Sequence, residues 1–283
     1  MRYDGTTGQF LDEFISSGSG GLNAPGGIAL GLDGYLYVAS YNIGKAYIKR
    51  YSVTSGDYVD DFIAPQPHFP YMSVRFGPDD NLYTSSEDGM SNVYRYDGQT
   101  GEFLGEFLSE GSNKGIGIAF GPDENLYVSN YHSDSIDLYD GDSGVFIDAF
   151  VSAASSVGLD MPMGMRFGPD ENLYVSGWHA NSIFRFNGDT GNFMDEFVGS
   201  GSGGLSAPSN IIFGPDGNLY VCSFGSNNIL RYNGLSGDFI DVFASGDLDD
   251  PLDIVFIPEP CSLLMMTLFS LHVVNRRKNN KPM

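Results

Sequence analysis

Cysteine, tryptophan and positive charge are all scarce in this chain. Two cysteines, Cys222 and Cys261, and one tryptophan, Trp178, occur in 283 residues. Two thiols so placed make neither a disulfide framework nor a cysteine-based metal site. Export stays open to such a chain, since a core of this size needs no disulfides. Lysine and arginine number 14 against 36 aspartates and glutamates, for a net charge of −22. Four of those cations, Arg276, Arg277, Lys278 and Lys281, lie in the last eight positions, so residues 1–257 hold 10 basic against 35 acidic residues, a net of −25. A field of that sign repels nucleic acid and anionic lipid and suits solubility, cations or a polycationic partner. No nucleic-acid partner is expected. Sustained helical periodicity is missing too. So are the H-E-x-x-H and G-x-S-x-G elements and the D-x-D-x-D-G spacing of calcium loops. No metal and no cofactor is expected.

What the chain does have is repetition. One phrase occurs six times: RYDGTTGQFLDEF (2–14), RYSVTSGDYVDDF (50–62), RYDGQTGEFLGEF (95–107), LYDGDSGVFIDAF (138–150), RFNGDTGNFMDEF (185–197) and RYNGLSGDFIDVF (231–243). Its starts are 48, 45, 43, 47 and 46 residues apart. Between them runs a second phrase: LGLDGYLYV (30–38), FGPDDNLYT (76–84), FGPDENLYV (120–128 and 167–175) and FGPDGNLYV (213–221). A period near 45 residues marks units that must bury their faces against one another. Around residue 120 one unit parses as four strands: Ile116–Phe120, a Gly-Pro-Asp turn, Leu126–Ser129, a loop, Ile136–Tyr139, a Gly-rich hairpin turn and Val145–Val151. Four antiparallel strands per ~45 residues is the pattern of a β-propeller blade.

The string Gly117-Ile118-Ala119-Phe120-Gly121-Pro122-Asp123-Glu124-Asn125-Leu126-Tyr127-Val128, followed by a short loop and an Arg-Tyr strand in most units, resembles the NHL-repeat propellers. The resemblance covers residues 22 to about 257 and implies architecture rather than activity. The fold class expected is all-β: a six-bladed β-propeller of four-stranded blades, closed by N- and C-terminal strands in an incomplete sixth blade, with a short C-terminal hydrophobic helix. Full blades are expected at about 22–66, 67–110, 111–154, 155–200 and 201–246, with a seam blade from 1–16 plus 251–257. Asp253-Ile254-Val255-Phe256 opens that last unit, but no Leu-Tyr-Val strand follows it. No signal peptide precedes Met1 either, so the natural start is expected upstream.

Residues 258–283 form a tail. Leu263–Val274 is an apolar run of about twelve residues, short against the ~20 of a membrane-spanning helix, and basic residues follow it directly. The order Pro258-Glu259-Pro260, apolar run, Arg276-Arg277-Lys278 resembles the PEP-CTERM sorting signal of bacteria. That resemblance implies an exosortase-like sorting enzyme as partner. It implies export to the envelope, outer surface or extracellular matrix, with the tail transiently in the inner membrane and its C-terminus cytoplasmic. His272 inside the apolar run, and the missing export signal, depart from the pattern.

Loops joining strands two and three share a face with the loops between blades, and sites on rigid scaffolds gather on such loops. His68, His132 and His179 map there, and Glu87 occupies the equivalent loop of another blade. Together they are the candidate acid–base or ligating groups. Propeller lyases of the streptogramin type use His and Glu on this face, but no His-x-Glu or Glu-x-His element occurs here. Trp178 and Tyr131, next to Asn130, are the candidate sugar-binding groups, with Tyr41 and Phe224 interleaved. The function expected is binding or scaffolding of a polysaccharide or another envelope protein; the alternative is a propeller hydrolase or lyase. The aspartates recurring at the turn (Asp33, Asp79, Asp123, Asp170, Asp216) read as turn-formers. Arg75 and Arg166 interrupt aliphatic strands near the axis, where they face the channel or pair with acids of the next blade.

Overall fold

The structure, a computed structural model, describes residues 1–42, 44–66, 71–86, 93–108, 115–152, 157–246, 248–258 and 269–275. The chain begins with β1 (Arg2–Asp4) and β2 (Phe10–Asp12). The first blade is β3 (Pro25–Leu30), β4 (Tyr35–Asn42), β5 (Lys45–Ser52) and β6 (Tyr58–Gln66). The second is β7 (Tyr71–Phe76), β8 (Leu82–Ser86), β9 (Val93–Tyr96) and β10 (Phe103–Glu106). The third is β11 (Gly115–Phe120), β12 (Leu126–Asn130), β13 (Ser135–Tyr139) and β14 (Phe146–Val151). The fourth is β15 (Pro162–Phe167), β16 (Leu173–Gly177), β17 (Ser182–Phe186) and β18 (Phe193–Val198). The fifth is β19 (Pro208–Phe213), β20 (Leu219–Ser223), β21 (Asn228–Tyr232) and β22 (Phe239–Ala244). Last come β23 (Pro251–Pro258) and β24 (Phe269–Asn275). Each blade is an antiparallel meander in chain order, and the first strands β3, β7, β11, β15, β19 and β23 adjoin one another around a closed ring.

The closure corrects the expectation. In place of a six-bladed ring with an incomplete last blade and a hydrophobic helix, five blades are continuous stretches of chain, and no α-helix occurs among the described residues. The ring is shut by a composite four-stranded sheet in the order β2-β1-β24-β23. Residues 269–275, within the stretch expected as a helix, form a strand that pairs Leu271 with both Tyr3 and Phe256. The physical reason is the pair of open edges that β23 and β1 otherwise present, together with the strand-favouring Phe269, Val273 and Val274. Among the described residues no helix is long and apolar enough to cross a membrane.

The two repeated phrases weld one blade to the next. The Tyr of Asn-Leu-Tyr is buried, and its ring meets two phenylalanines edge-on. Tyr127 packs on Phe150 of its own outer strand and on Phe167 of the next blade, with ring centroids 4.8 and 4.9 Å away. Tyr37, Tyr83, Tyr174 and Tyr220 repeat the arrangement, the last reaching Phe256 of the closing sheet. The tyrosine hydroxyl donates to the turn aspartate, 3.1 Å from Tyr127 to Asp123, whose other oxygen accepts from the Asn125 backbone N–H. The recurring aspartate is thus a turn-former and a tyrosine anchor at once. Outside this layer Arg50, Arg185 and Arg231 fork onto Asp60, Asp195 and Asp241 and lie over Phe62, Phe197 and Phe243. The hairpin glycine of the first phrase sits on the preceding blade. Gly144 has φ +68°, and a Cβ there would lie 1.8 Å from the Phe107 carbonyl oxygen. Gly8 meets Phe243 in the same way, so the N-terminal strands dock on the fifth blade and complete the circle.

Candidate functional site

The loops after the second strands are held to the loops that lead into the following first strands. Asp134, Asn181 and Asn227 sit in the left-handed region at φ 51–56°, a conformation that Asn and Asp tolerate better than other side chains. Their side-chain oxygens accept from the backbone N–H of Met161, Ala207 and Asp250 at 2.8, 2.7 and 2.9 Å. A second tie recurs at the end of three second strands, inside β4 and one residue past β16 and β20. The N–H groups of Tyr41, Trp178 and Phe224 donate to the carbonyls of Asn23, Met161 and Ala207 at 2.9, 3.0 and 3.3 Å. The backbone at these positions is therefore fixed, and the side chain stands on the rim of the loop face.

Three of the rim positions in a row are aromatic: Tyr131, Trp178 and Phe224. Trp178 and Phe224, from adjacent blades, are both half-buried and in contact, with ring centroids 4.7 Å apart and planes inclined at 49°. Tyr131 holds its neighbour His132 at 4.0 Å between centroids. Asn130 is buried, and its amide donates to Asp137 at 2.7 Å and Ser135 at 3.3 Å. It braces the loop from below rather than facing solvent. Asp137 is half-buried, and desolvation lifts its carboxyl above the usual carboxylate range, against the opposing Asn130 bond.

His179 lies on the same face. Its Nδ1 is 3.3 Å from Asp160 Oδ1, both side chains being more than half exposed at 61% and 58%. A base and an orienting carboxylate are thereby together, though in open solvent where their coupling is weak. Asp160 was not legible as a partner, because it belongs to the lead-in of its blade and to neither repeated phrase. No group of three His, Cys, Asp or Glu side chains able to hold a metal occurs among the described residues. His68 and Glu87 lie outside the described residues, as do Glu259, Pro260, Arg276, Arg277 and Lys278 of the tail; Pro258 is the last residue of β23.

No family model matches the sequence, and no curated protein does. Solved structures do match in fold. A virginiamycin B lyase from Staphylococcus aureus aligns with a TM-score of 0.62 at 17% identity, over 82% of this chain and 74% of the lyase. A streptogramin B lyase aligns at 0.63 and 21%, over 87% and 76%. A chain of a nidogen/laminin complex aligns at 0.68 and 16%, over 85% and 86%. The chain therefore has a β-propeller fold, one that occurs both in lyases and in a protein–protein complex, and identities this low carry the fold alone.

Proposed function

We propose that this protein is an exported bacterial propeller that works by binding, as a scaffold of the cell envelope or extracellular matrix. Its ligand on this reading is a neutral polysaccharide. The observation that carries it is the Trp178–Phe224 contact across a blade boundary, continued by Tyr131 on the preceding blade. Flat aromatic faces on a rigid rim stack against sugar rings at little entropic cost. The net charge of −22 disfavours polyanionic glycans and so selects neutral ones. Affinity electrophoresis through gels containing dextran or another neutral glucan tests the idea. Retardation should be lost in Trp178→Ala by at least ~30-fold in Kd, the scale of an aromatic hot spot. Equal mobility with and without every neutral glucan tried overturns it.

Sorting is assigned to the tail, with an exosortase-like enzyme as the partner and the membrane as a transient station. Because 269–275 also closes the ring, deletion of the tail would confound sorting with folding. Substituting Glu259 and Pro260 by Ala, or Arg276, Arg277 and Lys278 by Gln, spares that strand and its partner Pro258. Mislocalisation of such variants in a host that carries the sorting enzyme is expected; unchanged retention would remove the assignment.

A second reading, hydrolase or lyase chemistry by His179 with His68, Glu87 and His132, draws on the His179–Asp160 pair. Turnover of a polysaccharide or lactone substrate that disappears in His179→Ala would favour it.

A further inference from the structure

The first strands meet at the axis, where a cavity of about 30 Å³ lies among five of them. That volume holds one water molecule or one ion of halide size. Ser73, Arg75, Ser209 and Asn210 supply its polar wall, and Met72, Met163 and Leu252 the apolar one. Two cations stand here in a molecule otherwise short of them. Arg75 on β7 and Arg166 on β15 occupy the register position that Ala29 and Ala119 fill on β3 and β11; Arg75 lines the cavity itself, and Arg166 follows Met165 of the lining.

Among the described residues one carboxylate pairs with them, through Arg75, and it is already committed. Asp253 on β23 accepts from Arg75 Nη1 at 3.1 Å, Asn210 Nδ2 at 2.5 Å, Ile28 N at 3.0 Å and Ile254 N at 2.8 Å. Arg75 thus reaches past the first blade to the closing sheet rather than to an acid of an adjacent blade, and its Nη1 also donates to the Val74 carbonyl at 2.8 Å. Its Nε remains buried with no hydrogen-bond partner, and so does the Nε of Arg166. Among the described residues Arg166 makes no ion pair. Burial first, and then the charge of Arg75, push the Arg166 guanidinium down to about 9, so it is still cationic at neutral pH. Arg75 is buried and Arg166 is partly so with its Nε enclosed; among the described residues one carboxylate stands against these two cations, which leaves one positive charge uncompensated and is costly unless a counter-ion is present.

We propose that the axial cavity binds one small monovalent anion of halide size, held by Arg75 and by the field of Arg166. The bound ion supplies the missing charge and ties the second and fourth blades to the closing sheet through Arg75, Arg166 and Asp253.

Bromide is the probe. Thermal unfolding of the full chain is followed in sodium bromide and in sodium gluconate at equal ionic strength, the gluconate anion being too large for the cavity. The midpoint should rise by about 2–5 °C for each tenfold increase of bromide above its Kd. Arg166→Met and Arg75→Met should each abolish that slope. A bromide-soaked crystal of the unsubstituted protein should show an anomalous peak in the axial cavity beside Arg75, which keeps the test open should either variant fail to fold. Coincident midpoints in the two salts together with no axial peak overturn the proposal. So does a bromide slope that survives in both variants.

Discussion

At the scale of single residues, strand β13 beneath the aromatic rim carries a carboxylate where a neutral group would serve better. Burial raises the Asp137 carboxyl above its ordinary value of 3.8, and the Asn130 Oδ1 beside it is buried without a partner. A raised carboxylate pKa means that the folded state binds the proton more tightly than the unfolded one. Asp137 therefore lowers stability as pH rises through that window, and the penalty is fully present at neutral pH. Asp137→Asn should stabilise the protein at pH 7, by on the order of 1 kcal/mol if the new amide also satisfies Asn130. The gain should shrink as pH falls towards 4, and paired thermal melts at the two pH values measure it. None of this was legible in the sequence, where Asn130 looked like a sugar contact. Its burial follows from its place at the end of β12, a strand enclosed on both faces and paired with β11 on one side and β13 on the other.

At the scale of elements, the repeat was readable because the same chemistry is used in each blade. The Gly-Pro-Asp turn, the Asn-Leu-Tyr strand and the Phe of the outer strand appear at fixed offsets, and those offsets are the contacts. What could not be read was that the tyrosine and the turn aspartate bond each other, since spacing shows recurrence but not direction. Tyr127→Phe should cost about 1 kcal/mol, one hydroxyl bond to Asp123, whereas Tyr127→Ala, which also opens the joint between Phe150 and Phe167, should cost about 3–5 kcal/mol. Denaturant melts of the two variants separate the terms. The hairpin glycines give a second comparison. Gly144→Ala adds strain at φ +68° and a clash with a backbone carbonyl of the third blade's neighbour, while Gly18, at φ +78°, faces open space. The Gly144 variant should lose at least ~2 kcal/mol and the Gly18 variant only about 1, the left-handed strain alone.

At the scale of the whole molecule, the ring is closed by strands from both ends of the chain. The first-strand phrase at Asp253 and the hairpin phrase at Arg2 made their meeting foreseeable. The strand between them was not, because FSLHVVN shares no phrase with the repeats and owes its place to the open edges beside it. Leu271→Pro removes a backbone donor from that strand. It should destabilise the fold by about 1–3 kcal/mol, with faster amide exchange in β1 and β23 than in the five continuous blades. Equal exchange everywhere would mean that the strand contributes nothing to closure.

The central claim, that the loop-face aromatics are the binding surface, can be tested with a probe the chain already carries. Trp178 is its single tryptophan among 17 tyrosines, so emission excited at the red edge, where tyrosine does not absorb, reports on that rim. Titration with oligosaccharides of neutral glucans should shift or quench the emission saturably, with the same midpoint seen in affinity electrophoresis and a weaker one in Phe224→Ala. Emission that stays constant across the series, while retardation in the glucan gel persists, would place the ligand elsewhere and contradict the account.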